Sequence, residues 1–132
     1  MRITKANCRG VRELIGLSQS DLASKVGVTV ETIKGCESPK RKQYGPSKRM
    51  WAQLEKDLEE HIETINSMLD YYESKEENGP IKLNIYRDQA EYDEINDNGE
   101  NYSVVNRNTL TVAEILILEG KEIEFAYPYY EE

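Results

Sequence analysis

The chain has few of the residues on which metal and disulfide sites depend. Its 132 residues include one histidine, His61, and two cysteines, Cys8 and Cys36, which stand far apart in the sequence. A structural zinc site needs clustered cysteine and histidine ligands, and a disulfide framework needs several cysteines in a regular pattern. We therefore expect no metal and no disulfide. Both cysteines are predicted to be small buried packing residues, and His61 to lie in packing or at an interface between copies.

Long apolar segments and catalytic motifs are also missing. No run approaches the roughly 20 apolar residues that cross a bilayer, and residues 1–11 lack the apolar segment of a secretory signal. The sequence has neither a glycine-rich phosphate loop nor a Ser/His/Asp arrangement, and its paired carboxylates fall in charge runs or at the terminus. We expect a cytoplasmic protein without a membrane partner, without a cofactor and without enzymatic activity.

Charge is present in quantity but is unevenly distributed. The formal net charge is −8, yet residues 1–50 contain eleven Lys or Arg and four Asp or Glu, a balance of +7. Residues 51–132 carry the opposite balance of −15. An asymmetry of this size indicates two parts with different partners, of which the first faces a polyanion.

Three short helices are predicted within residues 4–37. Ser18 and Asp21 have the spacing of a capping box at the start of the second helix. Gly27 suits a sharp turn with positive φ, and Thr29 suits the cap of the third helix, which Pro39 ends. Four residues of the first helix are expected to face the core: Cys8, Val11, Leu14 and Ile15.

A long helix is predicted after the basic loop "KRKQYG", with Pro46 in its first turn. Apolar residues from Trp51 to Tyr72 recur at spacings of three and four for about three heptads. The acids between them are expected to form a solvated face. Charge, Asn-Gly and Pro in "ESKEENGP" mark a boundary, which gives domains of residues 1–78 and 79–132.

The second domain shows short alternating segments between helical ones. Residues 81–85 and "KEIEFAY" alternate as half-buried strands do, and "YSVVNRN" is a further strand candidate. "DQAEYDEIND" favours a short acidic helix, and Thr111 with Glu114 predicts a capping box before "VAEILILEG". The predicted order is β-α-β-α-β. The fold class predicted for the whole chain is therefore α+β, with an all-α N-terminal domain, a long connecting helix and a small C-terminal module.

The segment "LSQSDLASKVGVTVETIKGCES" resembles the helix-turn-helix of the Cro/C1 (Xre) family, whose domain is lambda repressor-like. The features that carry the resemblance are "LSQSDLA", "VGVTVETI" and an acid, Glu37, near the end of the third helix. Arg12 stands where that family commonly has a buried arginine, which implies a structural Arg12–Glu37 ion pair. The resemblance covers residues 4 to about 60 and implies that the partner is double-stranded DNA.

The resemblance also implies which residues contact DNA. The free N–H groups of a helix N-terminus bind phosphate, so Ser18 and Gln19 are expected to contact the phosphate backbone of the DNA. Exposed positions of the third helix are expected to meet base edges in the major groove: Thr29, Val30, Glu31, Thr32, Lys34 and Gly35. Five cations are expected on flanking phosphates: Lys40, Arg41, Lys42, Lys48 and Arg49. Because Gly35 and Cys36 replace larger side chains common in the family, base readout is expected to be sparse.

The layout of the whole chain resembles the YdiL-like regulators and the anti-CRISPR-associated autorepressors of phages. This likeness implies a homodimer that binds a palindromic operator and represses its own operon. Two alternatives remain open at this stage. In the first, the protein is an antitoxin whose acidic part binds a basic toxin. In the second, it is an acidic inhibitor or nucleic-acid mimic that acts through contact with a basic protein.

Overall fold

The computed structural model describes residues 1–75 and 79–130. These residues form an α+β structure that is mostly helical. Its elements in chain order are α1 (Lys5–Ile15), α2 (Gln19–Val26), α3 (Val30–Glu37), α4 (Lys48–Ser74), β1 (Ile81–Asn84), α5 (Gln89–Ile95), α6 (Tyr102–Leu118) and β2 (Ile123–Ala126).

The chain divides into two compact units, Met1–His61 and Ile62–Glu132. The division falls within α4, so each unit contains one part of the long helix. The predicted domain boundary between residues 78 and 79 touches a segment outside the described residues.

Local sequence determines where the helices of the first unit begin. Ser18 Oγ accepts from the N–H of Asp21 at 2.9 Å, and the Asp21 carboxylate accepts from the N–H of Ser18 at 3.0 Å, which completes the predicted capping box. Thr29 Oγ1 accepts from the N–H of Thr32 at 3.2 Å and caps α3. Ser47 caps α4, so Pro46 precedes the cap and does not lie in the first turn as predicted.

The turn between α2 and α3 is short because Gly27 adopts a left-handed conformation. Its φ is 76°, a value that disfavours side chains with a Cβ atom. The N–H groups of Gly27 and Val28 both donate to the carbonyl of Ala23, at 2.9 and 3.0 Å. The first residues of α3 therefore follow α2 after a gap of three residues.

The first unit has an apolar core to which all four of its helical segments contribute. Its fully buried side chains include Cys8, Ile15, Leu22, Ile33 and Leu54. Leu14 was predicted to face inward but is 56% exposed. Successive helical residues are rotated by about 100°, so Leu14 lies well to one side of the face that Val11, Arg12 and Ile15 form.

The second unit is built on a parallel pair of strands. Ile81 pairs with Ile123, and Leu83 pairs with Phe125. Ile65 from α4 and Val112 and Leu116 from α6 form the buried centre. Around it pack Met68, Leu69, Tyr72, Ile81, Ile115 and Ile123. Within the described part of the chain, no helix combines the length and apolar character that a membrane crossing requires.

The middle strand predicted for residues 102–108 is wrong, because these residues form the first two turns of α6. Asn101 caps this helix by accepting from the N–H of Ser103 at 2.8 Å. Thr111 lies inside the helix, where its hydroxyl donates to the carbonyl of Arg107, and so it is not the predicted cap. The order is therefore β-α-α-β. A short apolar run fits both the two-residue period of a strand and the 3.6-residue period of a helix. The helical spacing continues through Val112 and Leu116, which favours the helix.

Candidate nucleic-acid interface

An ion pair removed from water joins α1 to the end of α3. Arg12 Nε donates to Glu37 Oε2 at 2.6 Å, and Arg12 Nη2 donates to Glu37 Oε1 at 2.9 Å. The two side chains are only 9% and 4% exposed. Arg12 Nη1 also donates to the carbonyl of Leu17 at 2.9 Å, and the hydrogen bond to Glu37 raises the pKa of Arg12. This pair therefore holds α1, the start of α2 and the end of α3 together.

The two polar side chains at the start of α2 are engaged within the protein. Ser18 is exposed but its hydroxyl accepts the capping bond. Gln19 Nε2 donates to Glu37 Oε1 at 3.3 Å, so its amide reaches the ion pair. The first backbone N–H groups of a helix have no intrahelical partner. The side chains of Ser18 and Gln19 are therefore both hydrogen-bonded within the first unit.

The start of α3 offers polar side chains to solvent. Thr29, Glu31 and Lys34 are exposed, and Val30 and Thr32 are partly buried. The hydroxyls of Thr29 and Thr32 lie 3.0 Å apart and form a hydrogen bond. One exposed stretch of about one and a half turns thus carries a carboxylate, an ammonium group and two hydroxyls.

Gly35 was expected at an exposed position of α3, but it is buried. A methyl group placed there would lie 2.7 Å from Cδ2 and 2.9 Å from Cβ of Tyr44, which is too close for any side chain. The φ of Gly35 is not positive, so space alone requires the glycine. Its carbonyl accepts from Lys5 Nζ at 2.6 Å. Gly35 therefore has a packing function, and it offers no side chain to a base.

Four of the five predicted phosphate-binding cations are exposed: Lys40, Lys42, Lys48 and Arg49. Arg49 lies beside the turn between α2 and α3, with Nη2 3.9 Å from the place of a methyl group at Gly27. The fifth, Arg41, is bound to α3, because its Nη1 donates to Glu31 Oε2 at 2.6 Å. This hydrogen bond lowers the pKa of Glu31 and raises that of Arg41.

Sequence reasoning did not find Lys5 and Tyr44, and it placed Asp57 on a solvated face. Asp57 is 5% exposed, and it accepts from Lys25 Nζ and from Gln53 Nε2, each at 3.1 Å. Lys5 and Tyr44 contact residues that are 9 to 36 positions away in the chain. No local sequence pattern predicts contacts over such separations, because only the folded chain brings these groups together.

Both cysteines of the chain are free and buried. Burial raises the pKa of the Cys8 thiol to about 11, and burial also raises the pKa of Cys36. His61 is buried in α4. Across the described chain, no three His, Cys, Asp or Glu side chains are grouped so that they could hold a metal ion.

No protein-family model matches the chain, and no curated protein matches its sequence.

Proposed function

We propose that the protein is a sequence-specific DNA-binding repressor whose first unit acts as a Cro/C1-type helix-turn-helix. The observation that carries the proposal is the exposed polar start of α3, which follows α2 after a tight glycine turn and is fixed by the buried Arg12–Glu37 pair. A rigid helix with exposed N-terminal side chains suits insertion into the major groove, which admits an α-helix.

Base contacts come from the exposed start of α3. Lys34 bonds a guanine, Glu31 accepts from a cytosine amino group or orients a neighbouring donor, and the Thr32 or Val30 methyl groups touch a thymine methyl. Each good bidentate contact of this kind discriminates by about 1–3 kcal/mol. Because Gly35 offers no side chain, few bases are read directly from this helix.

Phosphate contacts come from the cations around α3 and from the start of α2. The first unit, Met1–His61, has twelve basic and eight acidic residues, a net charge of +4. Lys40, Lys42, Lys48 and Arg49 are exposed within it. Such contacts fix the register of the protein and confer salt dependence without sequence choice.

The whole-chain layout supports a dimer and self-regulation. Two copies would place two α3 helices about 34 Å apart on successive major grooves and so select a palindromic site. Occupancy of a promoter that includes the protein's own gene then suffices for repression. We assign self-association to the second unit, in keeping with the resemblance to phage-type autorepressors.

Fluorescence anisotropy tests this proposal with the DNA that lies just upstream of the protein's own gene. A scrambled duplex of equal length is the DNA control. We expect tight binding to the upstream DNA, weaker binding to the scrambled duplex, and at least a fivefold loss of upstream affinity in Lys34→Ala, which corresponds to about 1 kcal/mol.

The matched control is Lys82→Ala, which removes one positive charge from an exposed position in β1 of the second unit. This variant should bind as the wild type does. Equal affinity for both duplexes, or no binding to either, would overturn the repressor proposal.

The charge of the second unit favours one other class of function. Residues 62–132 hold 17 acidic and five basic residues, a net charge of −12, which suits a basic protein partner. An antitoxin or an acidic inhibitor would use this charge directly. If Lys34→Ala leaves biological activity intact while a basic protein binds the full-length chain, this class replaces the repressor proposal.

A further inference from the structure

The loop that follows α3 is fastened to the first unit by its backbone. Lys5 Nζ donates both to the carbonyl of Gly35 at 2.6 Å and to the carbonyl of Arg41 at 3.0 Å. The N–H of Tyr44 also donates to the Arg41 carbonyl at 3.2 Å, and the N–H of Arg41 donates to the carbonyl of Ser38 at 3.3 Å. The backbone at Arg41 is therefore fixed relative to both α1 and α3.

Two further contacts hold the far end of the loop. The Tyr44 ring lies over Gly35, where only a residue without a side chain leaves room for it. The Cys36 thiol donates to the carbonyl of Gly45 at 3.2 Å. The two residues of α3 that depart from the resembling family, Gly35 and Cys36, are thus the ones that receive the loop.

This fastening carries the guanidinium of Arg41 to the exposed start of α3. Arg41 Nη1 donates to Glu31 Oε2, and Glu31 lies in the first turn of that helix. The Arg41 and Glu31 side chains are 41% and 65% exposed, and a pair so open to water adds little stability. The consequence of the pair is positional, because its hydrogen bond holds the guanidinium beside the first turn of α3.

We propose that Arg41 reads a guanine in the major groove and that Glu31 orients it for this contact. The inference rests on the proposed function and deepens it, since it moves Arg41 from the phosphates to a base edge. Guanidinium has five N–H donors, so one bond to Glu31 leaves enough donors for the O6 and N7 acceptors of guanine. Arg41 then replaces the base-reading side chain that α3 lacks at Gly35.

The test selects binding sites from a randomised duplex library with the full-length protein. Wild type, Arg41→Gln, Glu31→Gln and Lys42→Gln are compared. Arg41→Gln and Lys42→Gln each remove one positive charge, but glutamine pairs with adenine and not with guanine, so Arg41→Gln should lose the preference for one guanine by tenfold or more. Glu31→Gln should weaken the same preference.

Lys42→Gln is the matched control, since Lys42 is an exposed neighbour in the same loop. It should weaken binding to all sequences and leave the consensus unchanged. If Arg41→Gln selects the wild-type consensus at every position, Arg41 is not a base reader and the inference fails, while the repressor proposal stands. If the wild type selects no consensus, both fail together. Circular dichroism melting confirms that each variant is folded.

Discussion

Two opposite charges, Arg12 and Glu37, stand almost without contact with water inside the first unit. A buried ion pair gives little net stability over an apolar pair, but loss of one partner leaves an uncompensated charge in the interior. The pair also specifies geometry, because Arg12 reaches the Leu17 carbonyl and Glu37 receives the Gln19 amide. Its importance therefore lies in how α1, α2 and α3 are placed.

At this scale we predict that Arg12→Met lowers the free energy of unfolding by about 3–5 kcal/mol, measured by urea denaturation. The matched control is Arg9→Met. Arg9 also pairs with an acid, Glu13, at 3.1 Å, but the two side chains are 64% and 55% exposed. A helical surface pair contributes only about 0.2–0.5 kcal/mol.

The double variant Arg12→Met/Glu37→Leu refines this prediction. Removal of both charges should recover most of the lost stability, because no charge is then left buried. The prediction is wrong if Arg12→Met costs no more than Arg9→Met.

At the scale of elements, the turn between α2 and α3 depends on one backbone conformation. Gly27 has a φ of 76°, and alanine in this region is strained by roughly 1–2 kcal/mol. We therefore predict that Gly27→Ala destabilises the protein by about that amount, measured as a lower midpoint of urea denaturation.

At Gly10, in the same unit, substitution by alanine is expected to stabilise the protein and not to destabilise it. It lies in the interior of α1, where a methyl group would meet nothing within 4 Å. Gly10→Ala should stabilise the protein by about 0.5–1 kcal/mol, because alanine has the better helix propensity. Equal effects of the two substitutions would contradict the assignment of the turn.

The elements also show what the sequence can and cannot predict. The capping box at Ser18, the glycine turn at Gly27 and the cap at Thr29 follow from local chemistry, so these three residues mark helix ends correctly. The segment from Tyr102 onward was misassigned because its apolar spacing fits two periods until tertiary packing selects one. The position of Arg41 could not be predicted from local sequence, because contacts with Lys5 and Glu31, which are distant in the chain, determine it.

At the scale of the whole molecule, the two units carry net charges of opposite sign, which would reconcile an acidic chain with the proposed binding of DNA. The first unit carries +4 and the second −12. Contacts to phosphate release counterions, so each cation that binds DNA adds about 0.9 to the slope of log affinity against log salt concentration. The acidic unit should add nothing to that slope, and its charge favours solubility.

We therefore predict that Lys48→Gln/Arg49→Gln lowers the magnitude of the salt slope by about 2, measured by anisotropy over a range of salt concentrations. It should weaken binding to upstream and scrambled DNA in equal proportion, because phosphate contacts carry no sequence information. The matched control, Lys82→Gln/Arg107→Gln, removes two exposed cations from the second unit and should leave the slope unchanged. If both double variants lower the slope alike, the cations of the second unit also meet DNA, and the division of charge between a DNA-facing and a non-DNA-facing unit is wrong.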